Sequence, residues 1–254
     1  RYLISINSFS ETSKIQSFAK LHEKQMGIIT KETNIYQYSK IILPENQKKQ
    51  LDNQINLFTN EKNIEKLRTL GFKNNLNILL YGEPGTSKTS IGSAIAERLQ
   101  RNIFIVDKLS PAIFFENINL IDIKTTVILF DDIDFWNLGD RIIKLKDGIE
   151  GQNALLMKLM ELLNGSVHDS GCFIFTTNFI DKINSALFRD GRINLKLKIS
   201  GLYEFTAYNK FFTNIYNDSN WTTHFTEKEL IKLYSKEIPL CKLSEIAKIN
   251  LYND

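Results

Sequence analysis

Short apolar runs alternate with stretches of helical period through the middle of the chain. Leu76 to Tyr81, Asn102 to Val106, Thr126 to Phe130 and Cys172 to Thr176 read as strands. Helices are predicted after Lys88 and from about Gln152 to Leu163. Alternation of this kind predicts a parallel sheet covered by helices on both faces, with function at the strand ends. Upstream, apolar positions predict a short strand at Tyr2 to Ile6, a helix from about Ser10 to Met26 stopped at Gly27, and a strand over Ile35 to Leu43 closed by Pro44. Two further helices follow, one carrying Leu51, Ile55 and Phe58, the other Ile64, Leu67 and Leu70 before Gly71. After Gly201 the period becomes helical, with Phe205, Tyr208, Phe211, Phe212 and Ile215 on one stripe, Thr226 and Glu229 as a capping box, and a last helical stretch from Leu240 to Asn250. The expected organisation is an accessory segment over residues 1–44, an α/β domain over 45–200 and a small helical domain over 201–254.

Composition narrows the class without naming a partner. Of 254 residues 43% are apolar, enough for a large core, so disorder is excluded as the main state. Thirty-two Lys and Arg against 29 Asp and Glu leave a charge of only +3, well short of the basic excess that announces a nucleic-acid binder. Cys172 and Cys241 lie in apolar segments without metal or disulfide spacing, and His22, His168 and His224 are scattered, so no zinc site is expected and a reducing compartment fits. No apolar run approaches the ~18–20 residues that cross a bilayer. The first residue is Arg1 rather than Met, so a targeting or anchoring segment upstream stays open.

Gly82-Glu83-Pro84-Gly85-Thr86-Ser87-Lys88-Thr89 follows a predicted strand and opens a predicted helix. Glycines let the backbone curl around phosphate oxygens, and the helix N-terminus adds partial positive charge. Lys88 can reach terminal phosphates, and the Thr89 hydroxyl can ligate magnesium. Ser87 stands where the usual pattern has a second glycine, which sets a Cβ where backbone normally meets phosphate. The plainer reading is a tight turn capped by Ser87.

Asp131-Asp132-Ile133-Asp134 closes the strand Thr126 to Phe130. If this strand is a parallel neighbour of the one before the glycine loop, its carboxylates share the loop's crevice. Asp131 can then hold magnesium and Asp132 can orient and polarise a water. A solvated acidic turn is the alternative. Asn178, after Thr176-Thr177, would reach the same crevice and position the water or contact the γ-phosphate. Arg189 and Arg192, around Gly191, can present guanidinium groups to a phosphate at a subunit boundary, or simply neutralise Asp181 and Asp190.

In order, Gly82 to Thr89, Asp131-Asp132, Asn178, and Arg189 with Arg192 resemble the Walker A, Walker B, sensor and arginine-finger positions of the AAA ATPases, over roughly residues 40–254. Phe130-Asp131-Asp132-Ile133-Asp134, Thr176-Thr177-Asn178 and Ala186 to Ile193 look most like the Bcs branch, the mitochondrial translocase that helps assemble the cytochrome bc complex. Asp132, where most AAA proteins carry Glu, agrees with that branch, whereas Ser87 and Asp190, the latter in place of Pro, depart from it. The resemblance implies a P-loop NTPase module with a helical lid, ATP and Mg2+ as cofactors, ATP hydrolysis, a homo-oligomeric ring of six or seven subunits and a protein substrate; it adds an organelle matrix to the cytoplasm as the reducing compartment, and localisation stays open. Three functions follow as expectations: a protein-remodelling or translocating machine, a nucleic-acid-directed loader, or a nucleotide-binding module with little turnover. Phe114-Phe115 is where many AAA unfoldases place a substrate-gripping loop, but it lacks the aromatic-apolar-Gly pattern, so core packing is favoured. The stripe Phe205 to Ile215 reads as the inner face of the lid.

Overall fold

The computed structural model describes residues 27–29, 37–107, 111–140, 142–144, 150–164, 169–189, 191–200, 205–216, 220–234, 242–243 and 245–247. The expected strand at Tyr2 to Ile6 and the helix from Ser10 to Met26 lie outside these residues, as do His22, His168, Asp190 and Cys241. Gly27 begins a strand, β1 (Gly27–Ile29), which pairs antiparallel with β3 (Asn102–Val106). The remaining strands of the sheet are β2 (Leu76–Tyr81), β4 (Thr126–Phe130), β7 (Cys172–Thr177) and β8 (Leu195–Lys198), in the order β1-β3-β4-β7-β2-β8. All contacts from β3 to β8 are parallel. A separate hairpin joins β5 (Ile142–Lys144) and β6 (Glu150–Gln152).

Period-2 alternation divides each strand between two cores. Ile78, Leu80, Val127, Leu129, Cys172 and Ile174 face a cluster with helices α1 (Glu45–Thr59) and α3 (Lys88–Arg98). Leu79, Ile128, Phe130, Phe173 and Phe175 face the opposite cluster, shared with α4 (Pro111–Asn117) and α5 (Ala154–Leu163). Phe114 is fully buried and meets Phe130 edge-on at 5.2 Å, so core packing is its role here. Phe130 also stacks on Phe175 at 4.8 Å, and these rings floor the strand ends that carry the chemistry.

Three expectations need correction. Residues 35–43 were expected as a strand, but Tyr38–Lys40 is a 3₁₀ turn followed by extended chain. The Tyr38 hydroxyl donates to Asp52 at 2.7 Å and its backbone N–H donates to Glu97 at 3.1 Å. The turn sends Tyr38 and Ile41 together into the α1–α3 core, which a strand would have split between two faces. Helix α2 (Glu61–Thr69) forms as expected but buries none of its apolar positions. Finally β8, a Leu-Lys-Leu-Lys alternation, was missed, although it completes the sheet.

The last described part packs separately. Helix α6 (Phe205–Tyr216) and helix α7 (Glu227–Tyr234) enclose Tyr208, Phe212, Trp221 and Leu243, together with Ile42 from the segment before α1. The capping box forms as read: the Glu229 carboxylate accepts from the Thr226 N–H at 2.8 Å, and the Glu229 N–H donates to the Thr226 hydroxyl at 3.4 Å. Among the described residues, no helix is long and apolar enough to cross a membrane.

Candidate functional site

The loop Gly82 to Ser87 joins β2 to α3, leaving the carboxyl end of a central strand. Gly82 has φ +140, and a Cβ there would lie 2.1 Å from the Ile199 carbonyl oxygen, so only glycine fits. Lys88, 6% exposed, folds back over the loop and donates from Nζ to the carbonyls of Gly82 at 2.9 Å and Glu83 at 2.7 Å. Burial lowers its pKa, while the charges of Asp132, Asp131 and Asp134 act against that shift. Thr86 is buried and closes the turn by donating to the Glu83 carbonyl at 2.8 Å.

Ser87 adopts the left-handed conformation that its missing glycine would take freely, with φ 67 and ψ 27. The loop therefore keeps the glycine backbone and the serine carries the strain, without a side-chain cap hydrogen bond to offset it. Ser87→Gly is expected to raise stability by ~1–2 kcal/mol, because glycine holds this left-handed backbone without strain, and to leave ATP affinity within about threefold, because the loop backbone already has the shape glycine would give it. A thermal melt and calorimetry on both forms check this; a loss of affinity of about tenfold or more in the glycine variant would identify the Ser87 hydroxyl as a phosphate ligand.

The acidic strand end does reach this loop, but β4 is not its neighbour: β7 lies between β4 and β2. The three strand ends close up through side chains instead. The Thr89 hydroxyl donates to Asp131 Oδ1 at 2.8 Å across the width of β7, and Thr176 donates to the same oxygen at 2.7 Å. This contact joins two motifs 42 positions apart in the chain. The Asn178 amide donates to Asp132 at 3.1 Å. Asp134 accepts from the Thr177 hydroxyl at 2.8 Å and from the Asn178 N–H at 3.0 Å, which locks the Asn178 backbone to the acidic turn.

Glycine loop, buried lysine, acidic strand end and polar strand end thus converge on one crevice, on strands ordered with β7 inserted between β2 and β4. The profile of the ATPase family associated with various cellular activities (AAA) matches residues 78–200, the span from β2 to the end of the sheet. The chain carries an AAA ATPase domain. It is similar to the probable mitochondrial chaperone BCS1-A of Dictyostelium discoideum, 32% identical over 204 residues, 76% of this chain and 48% of that protein. It is also 33% identical over 144 residues, 51% of this chain and 36% of the relative, to 26S proteasome regulatory subunit 10B of Dictyostelium discoideum. The probable mitochondrial chaperone bcs1 of Schizosaccharomyces pombe is 29% identical over 164 residues, 62% of this chain and 35% of the relative. The chain spans about half the length, or less, of these relatives.

Within the AAA domain Asp132 has backbone angles φ 51 and ψ 51, also left-handed. Strain of this kind collects where geometry serves function. Its carboxyl pKa is raised, chiefly by burial and then by Asp131 and Asp134, with Lys88 and the Asn178 hydrogen bond opposing. Sequence reading gave Thr176, Thr177 and Asp134 no role; their signal was the run of hydroxyls at the end of an apolar strand, opposite a third carboxylate.

The arginines go elsewhere. Arg192 donates from Nε to Asn164 at 2.7 Å and from Nη1 to the Ala186 carbonyl, so its guanidinium is held within its own subunit. Its carbonyl accepts from the Asn77 side chain at 2.6 Å, at the start of β2. The glycine loop leaves the other end of β2, roughly 17 Å away at ~3.3 Å per residue. Arg189 is exposed, one turn from Arg192. Among the described residues no group of three or more His, Cys, Asp and Glu side chains is placed to hold a metal ion.

Proposed function

We propose that the protein binds ATP with magnesium and hydrolyses it at a site completed by a second copy of the chain, using the cycle to remodel or translocate protein. The observation that carries this reading is the 2.8 Å contact between Thr89 and Asp131, which brings the phosphate loop and the acidic strand end to one point. The residues fit the group. Thr89 and Asp131 are hard oxygen donors suited to magnesium, and Lys88 offers a desolvated cation whose partners among the described residues are carbonyls and a hydroxyl. Gly82 through Thr89 would hold the phosphates. Magnesium held by Thr89 and Asp131 would supply neutralisation of phosphate charge. Asp132 accepts a hydrogen bond from the attacking water and Asn178 holds Asp132 in position, so the water is oriented by two groups fixed to different strands.

The arginines support a shared site, because a loop anchored at the amino end of β2 lies at the far side of the sheet from its own chain's phosphates. Arg189 is the finger and Arg192 braces the loop that presents it. An Arg189→Ala subunit mixed into wild-type protein is expected to depress ATPase activity more than in proportion to its fraction, with the thermal midpoint unchanged. A strictly linear decline would count against a shared site. Arg192→Ala is expected to lower the thermal midpoint as well, since it removes the bonds to Asn164 and Ala186.

Such sites commonly assemble as closed head-to-tail rings, and six or seven subunits are proposed here. A protein substrate is favoured by the BCS1 and proteasome relatives and by the modest net charge of +3. An organelle matrix, by the mitochondrial names of relatives, is the proposed compartment. Turnover measured with and without an unfolded protein, single-stranded DNA and RNA tests the substrate class. Stimulation by unfolded protein supports this reading, and stimulation by nucleic acid alone overturns it.

A further inference from the structure

Two large aromatic side chains flank the water-orienting pair and face outward. Phe135 follows Asp134 and is 60% exposed; Phe179 follows Asn178 and is 49% exposed. The bonds from Asp134 to Thr177 and to the Asn178 backbone tie their two segments together, so both rings sit on one rim. The rim is acidic on balance: Asp131, Asp132, Asp134 and the exposed Asp181 lie around it, against Lys182, whose ammonium sits 4.1 Å over the Phe179 ring. Core-type side chains exposed together beside a site point to a partner surface.

The opposite end of the sheet carries the complementary feature. A groove of about 450 Å³ opens between α1, α2 and the start of β2, lined by Leu57, Leu67, Leu70, Lys66, Lys73 and Asn194 among others. Leu70, which helical periodicity would have turned inward, is 60% exposed at its edge. Asn194 also fixes the arginine loop, because its side chain accepts from the Asn77 N–H at 2.7 Å while the Asn77 side chain holds the Arg192 carbonyl. Groove and arginine loop are therefore one continuous surface, apolar at the floor and basic at the rim.

We infer that this groove receives the Phe135–Phe179 rim of the next copy of the chain. The inference rests on the shared-site reading and adds its contact surface. If Arg189 reaches a neighbour's phosphates, the surface fixed to the arginine loop must lie against whatever borders those phosphates, and Phe135 and Phe179 border them. Charge agrees, acidic rim against basic groove, and the apolar contents agree as well. Rings entering a groove of aliphatic side chains are the anchor arrangement that carries most binding energy at protein contacts. The contact is head-to-tail, so each subunit offers both surfaces and the assembly can close.

Cross-linking tests this in the full chain. Phe135→Cys and Leu70→Cys are made singly and together, and treated with a short bis-maleimide in the presence of ATP and magnesium. Cys172 is fully buried with its thiol pushed up to about 12, and stays unmodified, while untreated-sequence protein controls for Cys241. The double variant is expected to give a ladder of covalent oligomers ending at the ring size, and the two single variants mixed together only dimers. Dimers from Phe135→Cys alone would reveal a face-to-face contact and overturn the inference. A protein that assembles with ATP by light scattering and shows the super-proportional Arg189→Ala effect, yet gives no ladder, would overturn this docking and leave the shared site standing. A protein that neither assembles nor shows that effect would overturn both. In the assembling protein, Leu70→Asp and Phe179→Asp are each expected to raise the concentration for half-assembly at least tenfold, and Leu70→Met to leave it within twofold. An unchanged midpoint in both Asp variants would also overturn the inference.

Discussion

Lys88→Ala is expected to weaken ATP binding by about 10²–10⁴-fold and to abolish turnover. The ammonium is already stripped of most of its water, and burial lowers its pKa, so the desolvation that opposes its use on phosphate has been met in folding. Two charge-assisted hydrogen bonds at ~1.5–3 kcal/mol each give the expected range at ~1.4 kcal/mol per tenfold. No neighbouring group can substitute, since the crevice around it is lined by Asp131, Asp132 and Asp134, all of the wrong sign. Alanine leaves the Gly82 and Glu83 carbonyls without their present donor, so a thermal melt must accompany the titration. ATP binding within threefold of the parent, in a folded variant, would show that the loop does not hold phosphate.

Asp132→Asn should cut the hydrolysis rate by about 10²–10⁴-fold while ATP affinity holds or improves. The substitution suits the backbone, because asparagine is among the few residues at ease in the left-handed conformation that Asp132 adopts. It also keeps an oxygen for the Asn178 amide to bond. What disappears is the negative charge that polarises water, and with it one like charge beside the phosphates. Titration and single-turnover measurements separate the two effects. Equal losses in affinity and rate would assign Asp132 to metal binding instead.

The AAA domain's crevice of glycine loop, lysine and strand-end acids was legible in the sequence because each of its parts is local. A strand, a glycine turn and a helix start are consecutive in Leu76 to Arg98, and backbone geometry alone delivers Lys88 and Thr89 to the turn. The acidic and polar strand ends were legible for the same reason, since an apolar run ending in Asp131-Asp132 or Asn178 must place those groups at a sheet edge. Ser87 was legible as a departure, and the structure shows its form: the backbone stays left-handed and the side chain accepts the strain.

Other features depend on parts of the chain that no local pattern connects. The insertion of β7 between β2 and β4 is a matter of strand order, and it makes Thr176 and Asn178 the bridge between loop and acids rather than a flanking pair. β8 and β1 are too short to stand out by pattern and are strands only because the sheet offers them an edge. Arg189 and Arg192 look equivalent in sequence, yet Asn164 and the Ala186 carbonyl claim one of them, and Asn77 fixes the Arg192 carbonyl at the far end of β2 from the chain's own glycine loop. Helix α2 shows the same division. Its period determined that it is a helix, but which face is covered depends on what lies opposite, and within one subunit little covers Leu70. Hydrogen bonding between near neighbours in the chain is written in the order of residues, whereas strand order, the fate of an arginine and the exposure of a helix face are decided by the burial of distant segments against one another.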